Sequence, residues 1–250
     1  MSPLPLRIGH RGAAGHAPEN TLLSIAAALD LRVDLIEVDV RRTSDGSLII
    51  LHDKRVDRTM TKGKGCVSDM TLSDVRRLDA GHGEMIPLLD EVLAAVQQGR
   101  AGIMLELVEE GIAKDVVECV RASGFSGQVI YASFLHAEML AIHEIDNSLS
   151  TLALLEGIPV NHTSFAREAC VTHVGLGFDS ARPRFIQDLH ESGHQVFVYT
   201  LNNPADIELA ISWGVDGIIS DHPELIPKDG RSVGYGSGSP QDIARTRTDP

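Results

Sequence analysis

Eight short apolar runs recur along the chain, and most are followed by a stretch with helical spacing. The strand-like runs fall at residues 7–10, 35–40, 103–107, 128–131, 149–155, 170–174, 195–199 and 217–220. Residues 21–31, 110–122, 137–145, 182–192 and 204–213 carry apolar side chains three and four apart, as in Val116, Val117 and Val120 or Ile207, Leu209, Ala210 and Ile211. Gly124, Gly193 and Gly214 follow three of them, where a helix can end in left-handed backbone. Eight such units in 250 residues predict a closed α/β barrel of the (β/α)8 kind. An open doubly wound sheet is the rival, but no glycine-rich dinucleotide fingerprint follows the first strand.

One region interrupts the alternation. A short extra strand is expected at residues 48–51. The segment 54–100 then holds a polar loop, Thr61-Lys62-Gly63-Lys64-Gly65, a short helix from near Thr71, and a second helix at 87–97. This predicts a small insertion after the second barrel strand, within a single barrel domain spanning 1–228. Residues 229–250 turn to Gly, Ser, Asp and Arg and are expected to form a disordered tail.

Charge and hydrophobicity narrow the partners. A net charge of −13 argues against nucleic acid, whose binding surface would be basic. No run approaches the ~20 apolar residues of a membrane-spanning helix, so no stable membrane insertion is expected. Three scattered cysteines, Cys66, Cys119 and Cys170, fit neither a disulfide framework nor a zinc motif. These features make a cytoplasmic location the expectation, and they leave the oligomeric state open.

The chemistry begins in the segment Asp34-Leu35-Ile36-Glu37-Val38-Asp39-Val40. Side chains alternate along a strand, so Glu37 and Asp39 share the face opposite Ile36, Val38 and Val40. Two anions together in an interior repel and lose hydration. A shared proton relieves this, and so does a hard divalent cation such as Mg2+ or Ca2+. In a parallel barrel the active site lies at the carboxyl ends of the strands. Those ends carry His10 and Arg11 after the first strand, His52 and Asp53 after the extra strand, and Glu106 on the third barrel strand.

In this order and spacing, the motifs His10-Arg11-Gly12, Pro18-Glu19-Asn20-Thr21, Glu37-x-Asp39 and His52-Asp53 resemble those of the glycerophosphodiester phosphodiesterases. That family lies within the phosphatidylinositol-phospholipase-C-like superfamily. The resemblance continues through Leu105-Glu106-Leu107, Ser133-Phe134, Tyr199-Thr200-Leu201-Asn202 and the run from Gly214 to Pro223. It implies a TIM barrel that hydrolyses glycerophosphodiesters, small-molecule substrates, to glycerol 3-phosphate and an alcohol. Carried over by position, Glu37, Asp39 and Glu106 would hold one divalent cation, Mg2+ or Ca2+. His10 and His52 would be the general acid–base pair and Arg11 a phosphate ligand. The nucleophile would be either the neighbouring glycerol hydroxyl, through a cyclic phosphate, or water.

These residue types suit the task. The phosphodiester anion needs its charge neutralised as the transition state forms, and arginine offers phosphate a planar two-pronged donor. Imidazoles, with an unperturbed pKa of ~6.5, can both accept and give a proton near neutrality. One departure stands out. The family commonly carries lysine two residues after the third carboxylate, and this chain has Val108. Weaker phosphate binding is expected, or a substrate with an apolar part. The rival readings are therefore phospholipase-D-like hydrolysis of lysophospholipids and a catalytically weakened barrel that only binds phosphate esters. Glu19 and Tyr199 are candidates for the substrate pocket, and Asn20 for a helix cap. His16 is expected to face solvent. Asp221-His222-Pro223 is expected to be a structural turn, and Glu109-Glu110 and Arg76-Arg77 solvated faces.

Overall fold

The computed structural model describes residues 4–61 and 63–228. Lys62 and the segment 229–250, for which a disordered tail is expected, lie outside the described residues. The strands are β1 (Leu6–Gly9), β2 (Leu35–Arg42), β3 (Leu48–Ile50), β4 (Gly102–Leu107), β5 (Val129–Ser133), β6 (Ser150–Leu155), β7 (His173–Gly177), β8 (Gln195–Tyr199) and β9 (Gly217–Ser220). The helices are α1 (Leu22–Asp30), α2 (Leu72–Val75), α3 (Leu89–Val96), α4 (Ala113–Ser123), α5 (His136–Ile145), α6 (Ser164–Glu168), α7 (Pro183–Glu191) and α8 (Pro204–Ser212).

Eight of the strands pair in parallel in the order β1, β2, β4, β5, β6, β7, β8, β9. Pairing of β1 with both β2 and β9 closes the ring, giving a TIM barrel. The short β3 pairs antiparallel with the end of β2, Val40 opposite Ile50.

Strand alternation splits the apolar residues between two cores. Ile36, Val38 and Val40 of β2 and Ile103, Leu105 and Leu107 of β4 face outward, packing with Val116, Val117 and Val120 of α4 and Ile207 and Ala210 of α8. Ile8, Leu35, Met104, Ile130, Leu152, Phe197 and Ile219 fill the barrel interior. One step further along the inward face of the same strands, the residues become Glu37, Asp39, Glu106 and Tyr199. The register sets Glu37 beside Met104 and Asp39 beside Glu106. Thus one alternation pattern plugs the barrel with hydrocarbon at one end and with ionisable groups at the other.

Helix α3 puts Leu89, Val92, Leu93 and Val96 into the outer core, as a barrel helix does. The residues between β3 and α3 have a separate small core of Val56, Met60, Val67, Val75, Ala80 and Ile86, packed on Ile49 and Leu51.

The strand expected at 170–174 forms instead at His173–Gly177. Cys170, at φ 52°, and Val171 close the turn after α6, a helix of five residues too short to signal itself by periodicity. The glycines of β7 weaken its apparent strand propensity, but the interior requires one of them. A Cβ on Gly175 would lie 2.7 Å from Leu154 Cδ2 and 2.9 Å from Leu152 Cδ2.

Candidate active site

Several rim residues are held by side chains or backbone groups from other elements. Glu37 and Asp39 are buried on β2, at 2% and 1% exposure, and Glu106 on β4 is half-buried. Their carboxylates offer oxygens that all lie within 4.8 Å of one another. The backbone N–H of Arg11 donates to Glu37 Oε2 at 2.7 Å, and Asn20 Nδ2 donates to Asp39 Oδ2 at 2.7 Å. The second oxygen of each, Glu37 Oε1 and Asp39 Oδ1, is buried without a partner. Burial, then repulsion from Asp39 and Glu106, pushes Glu37 well above the usual carboxylate range. Burial and Asp39 push Glu106 up to about 8. Orphaned oxygens on clustered, repelling carboxylates are what a hard divalent cation would satisfy, and the residues fit one.

Asn20 does not cap α1. Thr21 does, accepting from Ser24 N–H in a reciprocal capping box. Asn20 sits at φ 59°, a backbone state that asparagine tolerates, and this turns its amide onto Asp39.

The Arg11 guanidinium lies between carboxylates. Its Nη1 donates to Glu19 Oε1 at 2.7 Å and its Nε is 3.2 Å from Asp39 Oδ2. Burial alone would lower its pKa, but Asp39, Glu37 and Glu19 together raise it. Glu19 does not line the cavity. It sits behind Arg11 and also accepts from Arg58 of the insertion, at 2.7 and 2.9 Å.

The two histidines are oriented alike. His10 Nδ1 is 2.7 Å from Asp221 Oδ1, and His52 Nδ1 is 2.7 Å from Asp53 Oδ1. Asp221, expected to be only structural, is itself fixed by Asn202, whose Nδ2 donates at 2.6 Å. Asp53 accepts from Arg58 Nε at 2.6 Å, and this guanidinium is the main cause of a carboxyl pKa lowered to about 2. Arg41, buried at the end of β2, donates from Nε to the His52 carbonyl at 2.9 Å and from Nη1 to Glu109 Oε1 at 2.9 Å. Glu109 is therefore a clamp partner rather than part of a solvated face. Arg76 likewise grips Glu91. The His10–Asp221 contact and Arg58 escaped sequence reasoning because their spacings of 211 and 39 residues carry no periodic signal, whereas His52 and Asp53 were legible as an adjacent motif but not as a hydrogen-bonded pair.

His10, Arg11, Glu37, His52, Glu106 and Tyr199 line one open cavity of about 570 Å3, with Phe134 and Phe178 on its wall. Val108 faces an adjoining cavity of about 1000 Å3 that shares His52, Glu106 and Phe134 with the first. Lys54 and Arg55 line that second cavity, so cationic side chains stand near the position where the family's lysine is missing.

Groups able to neutralise charge and groups able to transfer protons line this cavity, as hydrolysis of an anionic ester would require, and the fold and site are those of a TIM-barrel hydrolase. The sequence profile of the glycerophosphoryl diester phosphodiesterase family matches residues 10–225, and the chain belongs to that family of enzymes. It is 33% identical to a glycerophosphodiester phosphodiesterase of Bacillus subtilis, over 89% of this chain and 85% of that protein. It is 32% identical to one of Caldanaerobacter subterraneus, over 88% and 96%. Among solved structures it resembles an Oleispira antarctica phosphodiesterase in complex with the product sn-glycerol-3-phosphate, with TM-score 0.84 and 26% identity over 89% of this chain and 95% of that one. It also resembles a glycerophosphodiester phosphodiesterase of Agrobacterium tumefaciens, with TM-score 0.78 and 30% identity over 89% and 99%.

Proposed function

We propose that this enzyme hydrolyses glycerophosphodiesters to glycerol 3-phosphate and an alcohol, with His10 and His52 as the acid–base pair and Arg11 as phosphate ligand. Glu37, Asp39 and Glu106 hold one divalent cation, Mg2+ or Ca2+. The observation that carries this reading is the matched pair of histidine–carboxylate contacts, on two histidines that line one cavity with Glu37 and Glu106 of the carboxylate cluster. An Nδ1–H directed at a carboxylate fixes the tautomer, leaves Nε2 as the working nitrogen, and stabilises the imidazolium when that nitrogen takes a proton. Neutral, one ring accepts the proton of the attacking hydroxyl. Charged, the other protonates the departing alkoxide. Arg11, whose Nη1 meets Glu19 and whose Nε faces Asp39, offers Nη2 to phosphate oxygens. The bound cation supplies further neutralisation of the phosphoryl charge.

Phosphorus NMR of glycerophosphocholine with the enzyme tests this. Glycerol 3-phosphate should accumulate in Mg2+ or Ca2+, stop in chelator, and slow by roughly 10²-fold or more in His52→Ala. Turnover that survives both chelator and the substitution would refute the mechanism.

A second reading concerns the glycerol side of the diester, the part that stays on the phosphate. Val108, Phe134 and Leu135 give the adjoining cavity an apolar side, which favours a lysophospholipid processed in the manner of a phospholipase D. A kcat/KM for lysophosphatidylcholine above that for glycerophosphocholine, reversed by Val108→Lys, would support it. Equal values would remove it.

A further inference from the structure

Away from the catalytic cavity, the loop after β1 meets the turn after β9 at a second group of convergent donors: His16 from the first, His222 and Glu224 from the second. None of the three lines the cavity that holds His10 and His52. His16 Nε2 is 3.0 Å from Glu224 Oε1 and His222 Nδ1 is 3.3 Å from the same oxygen. The rings meet edge to face at 68°, with centroids 5.5 Å apart. The other carboxylate oxygen, Glu224 Oε2, is buried and has no hydrogen-bond partner.

The backbone holds this geometry from both sides. Gly15 N–H donates to the Asp221 carbonyl at 3.0 Å, and Arg7 Nε donates to the Pro223 carbonyl at 3.0 Å. A Cβ on Gly15 would fall 2.3 Å from His222 Cε1, so any larger residue there would push the His222 ring out of place. Two imidazole nitrogens and one carboxylate oxygen are a borderline donor set. Such a set suits Zn2+ and its transition-metal neighbours, unlike the all-oxygen cluster on β2 and β4, which suits Mg2+ or Ca2+. Bonds of ~2.0–2.1 Å to a tetrahedral ion set its ligand atoms about 3.3–3.4 Å apart. The 3.3 Å spacing matches that edge length, and the 3.0 Å spacing falls a few tenths of an ångström short of it.

We propose that His16, His222 and Glu224 form a second cation site, for Zn2+ or a similar borderline ion, separate from the catalytic one. In the empty site His16 Nε2–H and His222 Nδ1–H donate to the single Glu224 oxygen. Ligation replaces those hydrogen bonds, and each ring carries its proton on the other nitrogen. His222 directly follows Asp221, the residue that orients His10, so an ion here ties the loop bearing His10 to the turn bearing Asp221. The site acts as a strap across the base of one catalytic pair and not as a reacting centre.

The test is binding, which is read independently of turnover. The full chain in saturating Mg2+, which occupies the carboxylate cluster, is titrated with Zn2+ against a chromophoric chelator. One equivalent should bind, with affinity falling about tenfold or more in His16→Ala and in Glu224→Gln. Co2+ in place of Zn2+ should give the visible absorption of a four-coordinate nitrogen–oxygen site, absent in the same variants. Glu224→Gln keeps a hydrogen-bond acceptor and serves if His16→Ala does not fold. Glu106→Gln should retain the equivalent. Uptake unchanged in His16→Ala and Glu224→Gln, uptake lost only in Glu106→Gln, or no stoichiometric uptake by the wild type would each overturn the proposal.

Discussion

At the scale of single residues, most charges of the site meet a counter-charge or a backbone donor, but one buried oxygen each of Glu37 and Asp39 is left without a partner. Removing part of this buried negative charge should stabilise the cation-free protein. Glu37→Gln keeps an oxygen for the Arg11 N–H and removes a buried charge, so its unfolding midpoint in chelator should rise by a few degrees. A gain of ~1 kcal/mol moves a domain of this size by roughly 2–4 °C. Added Mg2+ should then no longer raise the midpoint, and differential scanning fluorimetry with and without chelator reads both effects. A midpoint lower than wild type in chelator would mean that the carboxylates are not in conflict. Asp221 makes a different prediction. Asp221→Asn leaves the cavity walls intact but loses the charge that orients His10 and stabilises its protonated form, so kcat should fall roughly 10²-fold with KM little changed. A loss confined to KM would assign Asp221 to substrate binding instead.

At the scale of elements, the strands and most barrel helices were legible because their burial is periodic. Sequence expectation and structure agree within a few residues for α1, α4, α5, α7 and α8, and Gly124 takes up left-handed backbone at the end of α4 as its position suggests. The carboxylates of β2 and Glu106 of β4 could be assigned to one face for the same reason, since alternation fixes the side even before the partner strand is known. What escaped is set by contact between elements. Strand β7 looked unlike a strand because Leu152 and Leu154 of its neighbour leave no room for a side chain at Gly175. Asn20 looked like a cap because its tether to Asp39 crosses between elements. The same strand yields a pH prediction. Burial lowers the pKa of His173 below 6.5, so the folded state takes up fewer protons than the unfolded chain on acidification. Its contribution to stability is present above pH ~6.5 and is lost as pH falls through the folded-state value. His173→Gln should therefore flatten the pH dependence of urea unfolding between pH 7 and about 5.5. An unchanged slope would assign that dependence to other groups.

At the scale of the whole molecule, the chain has net charge −13, and on the proposed reading an anionic substrate would be captured by the local cations Arg11, Lys54 and Arg55 that line the two cavities rather than by the overall field. Raising ionic strength screens the long-range repulsion. The kcat/KM for a net-negative diester such as glycerophosphoglycerol should therefore rise with salt, while that for zwitterionic glycerophosphocholine stays nearly flat. A fall with salt for the anionic substrate would show that the local cations dominate at distance as well. Among the described residues no helix is long and apolar enough to cross a membrane. The excursion between β3 and α3 is wired into the site. Its Arg58 grips Glu19, which braces Arg11, and Asp53, which orients His52. Grafting a relative's excursion in its place would thus be no simple exchange of a surface segment. A graft without an equivalent arginine would unhitch two working groups at once, and such segments would have to be inherited together with the residues they brace.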